Sequence, residues 1–350
     1  MPGWNDILVE IQSTPAIAGI SPFDQVRRKY LAALSSRTGR HTILYASRWL
    51  QGLPPGTEAF ASVSDEDVQG LMATVKGRTT TDLDLILHSP GGSPEAAESI
   101  VRYLRGTFTN IRVIVPHLAM SAATMIACAA TRVVMGLHSF LGPTDPQLLL
   151  NTPLGPRAVP AQAIIEQFQR AKDDCKDVSL LRAWAPMLPQ YGPDLLITCE
   201  NASKLTRSLV FEWLRTYMLA DLKPAARGQV VRRCATFLTS HSQHATHGRH
   251  LGRDVLRKHG MKIDDLETDP LEQDLVLSVY HATTICFSML GGIAKIIENQ
   301  NGKAFVRVAG APLAPPPFVV PPLPTPSPPP TPSPVPPTPP AAPPGPPSTP

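Results

Sequence analysis

The stretch that decides the fold is residues 82–147, in which two strand-turn-helix units follow one another. The first unit reads DLDLILHSPGGSPEAAESIVRYL over 82–104, and the second reads IRVIVPHLAMSAATMIACAA over 111–130. In each unit a nearly continuous apolar run of strand length precedes the turn, which predicts a strand covered on both faces. A third apolar run at 133–135 completes the set, so an α/β fold of repeated strand-turn-helix units is expected.

The first turn carries two consecutive glycines, Gly91 and Gly92. Because glycine has no Cβ, such a turn can direct backbone N–H groups outward instead of into a ladder. Outward N–H groups are what an oxyanion hole requires. Ser93 and Pro94 then have the residue types of a helix N-cap and a first helical position, so a helix is predicted to begin there.

Ser121 opens the second helix and lies among small residues, Ala119, Ala122 and Ala123. Unpaired N–H groups and the positive end of the helix dipole favour a developing negative charge at this place. The sequence therefore predicts Ser121 as a nucleophile, with the N–H groups of Gly91 and Gly92, and also of Ala122, as the oxyanion hole. The alternative is a small residue that only suits a tight helix start.

Three strings resemble the Clp/crotonase superfamily: SPGG at 89–92, AMSAATM at 119–125 and LGPTDPQ at 141–147. Within it they are most similar to the serine dehydrogenase proteinase family, relatives of the signal-peptide peptidases. Shorter strings at 28–31, 38–40, 296–299 and 301–302 extend the resemblance to roughly residues 20–310. The resemblance implies a Clp/crotonase-like fold and a serine peptidase that acts on peptides or proteins. It also implies a homo-oligomer and no cofactor.

A serine hydroxyl needs an adjacent base to take its proton, and two candidates are open. The first is Lys172, since signal-peptide peptidases that resemble this chain place a lysine base at a similar distance after the serine. A lysine acts as a base only where burial lowers its pKa toward neutrality. The spacing favours Lys172, with Lys176 as a weaker substitute.

The second candidate is a histidine oriented by Asp145. The family resemblance implies the order Ser, Asp, His, in which Asp145 would orient a later histidine; otherwise Asp145 only stabilises a turn before proline. His247 is the preferred histidine of this arrangement. The other histidines considered are His241, His244 and His250 in the same run, His281, and His138 and His88 near strand ends.

Composition divides the chain into three parts. Residues 1–22 form an N-terminal segment without an assigned structure, and residues 23–310 form the predicted peptidase domain. Residues 311–350 hold 22 of the 40 prolines and no charged residue or histidine, which predicts a disordered tail with polyproline II bias. The tail is either an inert spacer or a segment that presents proline-rich motifs to a partner.

Charge and cysteine usage exclude several functions. The net charge of +4 comes without a dominant basic stretch, so no nucleic-acid partner is expected. The five cysteines are odd in number and lack CxxC spacing, which favours reduced thiols in a cytoplasmic protein. The histidine run lacks the acidic or cysteine partners of a metal site, so no metal is predicted. No signal peptide or transmembrane segment is predicted, although membrane-anchored relatives leave membrane association open.

Periodicity predicts further elements outside the central stretch. Helices are expected at 23–34, 64–75, 161–172 and 275–290, strands at 42–46 and 303–308, and a loop at 151–159.

Two other functions compete with the peptidase. A crotonase-type hydratase or isomerase would use the same pair of N–H groups to stabilise a thioester enolate, but it needs a carboxylate in the pocket and no serine nucleophile. A non-catalytic scaffold would use the fold only to present the proline-rich tail.

Overall fold

The computed structural model describes residues 2–17, 19–152 and 155–309. Within these ranges the main sheet has seven strands in the order β10-β5-β3-β2-β1-β11-β12. Its first five members run parallel, and β11 and β12 are antiparallel additions at one side. The strands are β1 (His41–Ser47), β2 (Asp82–His88), β3 (Asn110–Val115), β4 (Leu118–Ala119), β5 (Arg132–Met135), β6 (Phe140–Leu141), β7 (Gln147–Thr152), β8 (Gly155–Pro160), β9 (Leu251–Gly252), β10 (Ile263–Asp265), β11 (Ile293–Asn299) and β12 (Ala304–Val308).

Helices cover both faces of this sheet. They are α1 (Trp4–Ser13), α2 (Pro22–Thr38), α3 (Asp67–Val75), α4 (Pro94–Thr107), α5 (Ala122–Cys128), α6 (Ala161–Asp174), α7 (Val178–Trp184), α8 (Leu195–Trp213), α9 (Pro224–Thr239), α10 (His241–His244), α11 (Arg253–His259) and α12 (Pro270–Met289). Helices α3, α4, α5, α8 and α9 share one apolar core with the sheet, while α1, α2 and α12 pack on the opposite face. Helix α6 packs with α8 and the β7–β8 hairpin in a small separate cluster.

The parallel strands place their carboxyl ends along one edge, and this edge carries the site. A second, three-stranded sheet, β4-β6-β9, lies there. Ser89, just after β2, bridges to Ala119 of β4, with the Ser89 N–H 3.1 Å from the Leu118 carbonyl and the Met120 N–H 2.9 Å from the Ser89 carbonyl. The end of β2 is thereby tied to the segment that leads into α5.

Most of the predicted elements are confirmed with shifted ends. The helix expected at 23–34 is α2, that at 161–172 is α6 and that at 275–290 is α12, while the strands expected at 42–46 and 303–308 are β1 and β12. The predicted cap at Ser93 is also confirmed, since its hydroxyl accepts a hydrogen bond from the Ala96 N–H at 3.1 Å.

Three expectations need correction or lie outside what is described. Of the loop expected at 151–159, residues 151–152 belong to β7 and residues 155–159 to β8, and cross-strand pairs such as Leu149 with Ala158 override the turn-forming residues. The helix expected to begin at Ser64 begins at Asp67, whose buried carboxylate accepts the Ser64 N–H at 2.9 Å. The predicted disordered tail, residues 311–350, lies outside the described residues.

Candidate active site

Ser121 occupies the turn between β4 and α5 with backbone angles of φ 52° and ψ −118°. Apart from Ala245, it is the one non-glycine residue in the described ranges with a positive φ. Such a conformation costs about 1–3 kcal/mol for a residue with a side chain, and strain of this kind concentrates at functional sites. A strained strand-to-helix turn is also how α/β hydrolases expose a nucleophilic serine.

Gly91 lies directly against Ser121. A Cβ atom on Gly91 would fall 2.5 Å from the Ser121 Cβ and 2.9 Å from the Ala122 nitrogen, so a side chain here would have no room. Its φ of 95° also favours glycine. The Gly91 carbonyl accepts the Val63 N–H at 2.7 Å, which fixes the turn from its other side. The glycine turn and the serine turn thus form one rigid unit.

The backbone N–H groups of this unit are used differently. The Gly91 N–H donates to the Ser89 hydroxyl at 3.2 Å. Among the described residues, the N–H groups of Gly92 and Ala122 have no hydrogen-bond partner. The geometry therefore favours Gly92 and Ala122 as oxyanion donors, and it gives Gly91 the role of permitting close approach instead of the predicted donor role.

Asp145 is buried, with 2% of its side chain exposed, and it binds two histidines. His247 Nδ1 lies 2.8 Å from Asp145 Oδ1, and His241 Nδ1 lies 2.9 Å from Oδ2. Burial alone would raise the pKa of Asp145, but the hydrogen bonds and charges of His247 and then His241 outweigh it, so this pKa lies below its usual range. The carboxylate is therefore held ionised between two imidazole rings.

The chain reaches this arrangement through a short helix and a reversal. The Thr144 N–H donates to the Leu238 carbonyl at 2.8 Å, which joins the Asp145 segment to the end of α9. His241 begins the single-turn helix α10, and Ala245 then adopts a φ of 62°. This left-handed residue turns the chain back, so that both histidines face the same carboxylate.

Ser121 and His247 line one cavity of about 550 Å³, which Gly91 and Gly92 also border. Its walls are largely apolar and include Met125, Leu148, Leu149, Ala158 and Ala202. Two buried hydroxyls in the lining, Thr144 Oγ1 and Thr206 Oγ1, have no partner within the described ranges. The cavity combines a strained serine, an imidazole held by a carboxylate and polar groups available to a ligand.

Lys172 lies elsewhere. It is solvent-exposed near the end of α6 and does not line this cavity, and Lys176 is an exposed partner of Asp173 at 2.8 Å. A lysine base requires a desolvated site beside the serine, so the preference for Lys172 has no geometric support. Sequence spacing alone could not show that α6 belongs to the peripheral cluster with α8 and the hairpin.

The other histidines considered are also placed apart from the serine. His244 is buried and binds the Phe237 carbonyl at 2.6 Å, and His250 stacks on Phe140. His138 and His281 border a different cavity, and His88 is packed behind it. His241 was named from the sequence only as part of the histidine run, because the reversal at Ala245 has no signal that periodicity can detect.

Two kinds of feature are absent from the part of the chain that the structure describes. No cluster of three or more histidine, cysteine, aspartate or glutamate side chains is arranged to hold a metal ion there. No helix in the same ranges combines the length and the apolar character needed to cross a membrane.

Residues 26–184 match the family model described as ClpP-like SDH-type serine proteinase. The match confirms, over that segment, the family resemblance predicted from the sequence, and at the level of the family it supports a serine peptidase. The segment contains Ser121 and Asp145, whereas His247 lies beyond it.

Two uncharacterised proteins of Methanocaldococcus jannaschii are similar to the chain. One is 34% identical over 162 residues, which are 45% of this chain and 53% of that protein. The other is 31% identical over 128 residues, which are 36% of this chain and 41% of that protein. The chain thus spans about half or less of the length of these curated relatives.

Proposed function

We propose that this protein is a serine endopeptidase with a catalytic triad of Ser121, His247 and Asp145. The observation that supports this most directly is that Ser121, in its strained turn, and His247, bonded to buried Asp145, line the same cavity. The arrangement needs no cofactor and follows the geometric roles that recur among serine hydrolases on unrelated folds.

The proposed reaction is acyl transfer from the peptide to Ser121. The Ser121 oxygen bonds to the scissile carbonyl carbon while His247 Nε2 takes the hydroxyl proton. The C–N bond then breaks, and His247 returns that proton to the leaving amine. Water, deprotonated by His247, cleaves the acyl-enzyme and restores the serine. Asp145 holds the Nδ1 proton of His247 and stabilises the imidazolium that forms.

The negative charge of the tetrahedral intermediate would be bound by the N–H groups of Gly92 and Ala122. Both are without partners among the described residues, and both adjoin the Gly91–Ser121 contact. Such donors cost no reorganisation during the reaction because the turn already fixes them.

The substrate class is a peptide with an apolar residue near the scissile bond. The cavity wall formed by Met125, Leu148 and Ala202 suits an apolar side chain, and the unpartnered hydroxyls of Thr144 and Thr206 suit the polar groups of an extended backbone. The family resemblance adds a homo-oligomer to this proposal. Exposed apolar side chains in the α6–α8 region are consistent with it, among them Val178 at 78% and Ile197 at 58% exposure.

Labelling with a fluorophosphonate probe, together with hydrolysis of casein and of fluorogenic peptides, tests the proposal. We expect the wild-type chain and Ser62→Ala to be labelled, since Ser62 is another serine in the lining of the same cavity. Ser121→Ala should lose both labelling and hydrolysis while its circular dichroism stays unchanged. Wild-type turnover in Ser121→Ala would refute the nucleophile assignment.

The same experiment separates the competing functions. A thioester hydratase or isomerase would not be labelled and would instead convert an enoyl thioester. Among the described residues that line the cavity, Glu95 is the one carboxylate that it could use, and Glu95 is exposed and bound by the Ser93 hydroxyl at 2.6 Å. A scaffold would show neither labelling nor turnover.

A further inference from the structure

A second cavity, of about 510 Å³, lies at the carboxyl ends of the parallel strands beside α12. His88 ends β2, His117 follows β3 and His138 follows β5, while α12 contributes Tyr280 and His281. Ligands of open parallel sheets bind at this edge, and the volume is in the range of ligand sites. We call this the histidine cavity.

The aromatic rings at its base form one contiguous group. The His88 ring is fully buried, 6.1 Å from the His117 ring and 5.1 Å from the Tyr280 ring. The Tyr280 hydroxyl lies 3.0 Å from His117 Nδ1. Trp49 completes the group at 6.0 Å from His88. A rigid wall of imidazole and indole rings results.

Unsatisfied polar atoms concentrate around this cavity. Of the 14 buried side-chain nitrogen and oxygen atoms without a partner in the described ranges, five belong to its lining or to the ring group behind it. They are Trp49 Nε1, Gln51 Oε1, His88 Nε2, His138 Nε2 and His281 Nδ1. Folded proteins leave few such atoms, and each needs an explanation. Three of the five, Trp49 Nε1, His138 Nε2 and His281 Nδ1, can donate an N–H, so a ligand that reaches them should supply acceptors. His88 Nε2 is an acceptor, because the neutral ring donates its one N–H from Nδ1 to the Leu118 carbonyl at 3.0 Å.

The titratable groups that line this cavity are neutral or basic in the described ranges. Burial lowers the pKa of His88 to about 3 and also lowers the pKa of His117 and of His281. Neighbouring imidazoles lower these pKa values further; for example, His138 and His250 lower the pKa of His117. No carboxylate raises the pKa of His117 or of His281. The lining, as described, contains no acidic side chain. A negative charge placed here would lie among imidazoles and N–H donors, with Gln51 Oε1 as an acceptor in the same lining.

We propose that the histidine cavity binds a small organic anion, a carboxylate attached to an apolar body. The carboxylate would lie against His117, His138 and His281, and the apolar body against Leu277, Pro116 and Trp4. This site is independent of the proposed peptidase activity, because neither Ser121 nor His247 contributes to it.

Such binding is coupled to pH. An anion stabilises the protonated form of an adjacent imidazole, so the complex takes up a proton and affinity rises as pH falls from 8 to 6. In the described ranges the ionisable groups about the cavity are His88, His117, His138 and His281, with Tyr280 on α12, His250 acting on His117 and Arg48 beside Trp49. A carboxylate near them is Glu267, which accepts the N–H of Leu137, the residue before His138, at 2.8 Å. Because Glu267 is paired with Arg253, it opposes the trend only weakly.

The test titrates the full chain with hexanoate, benzoate and inorganic phosphate at pH 6 and pH 8, using calorimetry and the imidazole signals in NMR spectra. The amides of the two organic acids serve as neutral controls. We expect a saturable carboxylate complex at pH 6 that weakens at least about tenfold at pH 8 and in His281→Leu. The matched control His247→Leu removes a half-buried histidine of the other cavity and should leave binding unchanged.

Three results would overturn the proposal. One is that none of the three anions binds saturably at pH 6 at concentrations up to about 10 mM, which corresponds to a free energy of binding weaker than about −3 kcal/mol. Another is equal binding of acids and amides. The third is loss of binding in His247→Leu but not in His281→Leu, which would place the anion in the peptidase cavity. Should His281→Leu fail to fold, wild-type shifts of the His138 and His281 signals decide the question.

Discussion

Two buried aspartates, Asp145 and Asp67, have partners of different kinds. Asp67 is fully buried and binds the equally buried ammonium of Lys295 at 2.6 and 2.7 Å, the Tyr45 hydroxyl at 2.6 Å and the Ser64 N–H. Asp145 binds two imidazoles that are 16% and 19% exposed. The first group is sealed, whereas the second borders a cavity.

The difference shows which buried charge is available for chemistry. Burial lowers the pKa of Lys295, while the charge and hydrogen bonds of Asp67 oppose that shift, so the ammonium is held in place by its partner. It links β11 to the start of α3 and has no path to a substrate. His247 can exchange protons at its second nitrogen because the ring borders the cavity. The fully buried Asp67–Lys295 pair stabilises the fold, whereas the Asp145–His247 pair, which borders a cavity, can transfer a proton.

The largest effect is expected from Asp145→Asn, which changes the buried aspartate whose histidine partner borders the cavity. The new amide is neutral, so the imidazolium of His247 loses the charge that stabilises it. Where the amide NH2 faces His247, it also forces the other tautomer, and that ring can no longer accept the Ser121 proton. A loss of about 10⁴-fold in kcat is expected, as for the equivalent change in a serine protease triad. Peptide hydrolysis measures it, with thermal unfolding as the control for folding. A variant that keeps more than a tenth of wild-type kcat would remove Asp145 from the mechanism.

The second prediction concerns the sealed pair. Lys295→Met leaves the Asp67 carboxylate buried without its counter-charge, which should cost about 3–5 kcal/mol of unfolding free energy. Urea denaturation is the measurement. Activity is less suitable, because the Ser62 carbonyl accepts a hydrogen bond from Lys295 and Ser62 also lines the peptidase cavity, so the substitution could change activity as well as stability. Adding Asp67→Asn removes the uncompensated charge and keeps an acceptor for Tyr45, so the double variant should recover part of the loss. Equal stability of the single variant and wild type would contradict the prediction.

A smaller effect is expected at His241, which acts on His247 only through Asp145. His241→Phe removes the hydrogen bond to Oδ2, and kcat should fall about 10- to 100-fold, as for the loss of a bond to a charged group. His241→Asn can place an amide N–H near the position of Nδ1 and should stay within about threefold of wild type, a difference well below one hydrogen bond. KM should not change in either variant. The same kcat for Phe and Asn would show that the hydrogen bond is unimportant.

Much of the fold could be predicted from local patterns. The buried strands β2 and β3 and the capped helix α4 follow from continuous apolar runs and the Ser93–Pro94 pair, which depend on a few neighbouring residues. The β7–β8 hairpin could not be predicted, because cross-strand pairing overrode its glycine and prolines. The start of α3 was misplaced for a similar reason, since Asp67 is held by Lys295 from a distant part of the chain.

The candidate site likewise has residues that local sequence predicts and residues whose roles depend on distant contacts. Ser121 and the glycine turn are close in sequence and their residue types indicate their roles. The partner of Ser121 depends on how 100 further residues fold, since the Asp145–His247 bond joins positions 102 residues apart. Spacing names both bases and favours Lys172, because it carries no information about where α6 packs. It also gave no reason to join His241 to the same carboxylate.

The smallest effect is expected at Lys172, a candidate base that does not border the cavity. If access to the cavity decides which base is catalytic, an exposed lysine at the end of α6 should be dispensable. Lys172→Ala should keep kcat and KM within about twofold of wild type, since most surface substitutions change free energies by less than about 0.5 kcal/mol. Lys176→Ala, another exposed lysine nearby, is the matched control. A loss of about 10³-fold confined to Lys172→Ala is the size expected for a general base. That result would require α6 to move onto Ser121 in the working enzyme, and it would replace His247 by a lysine.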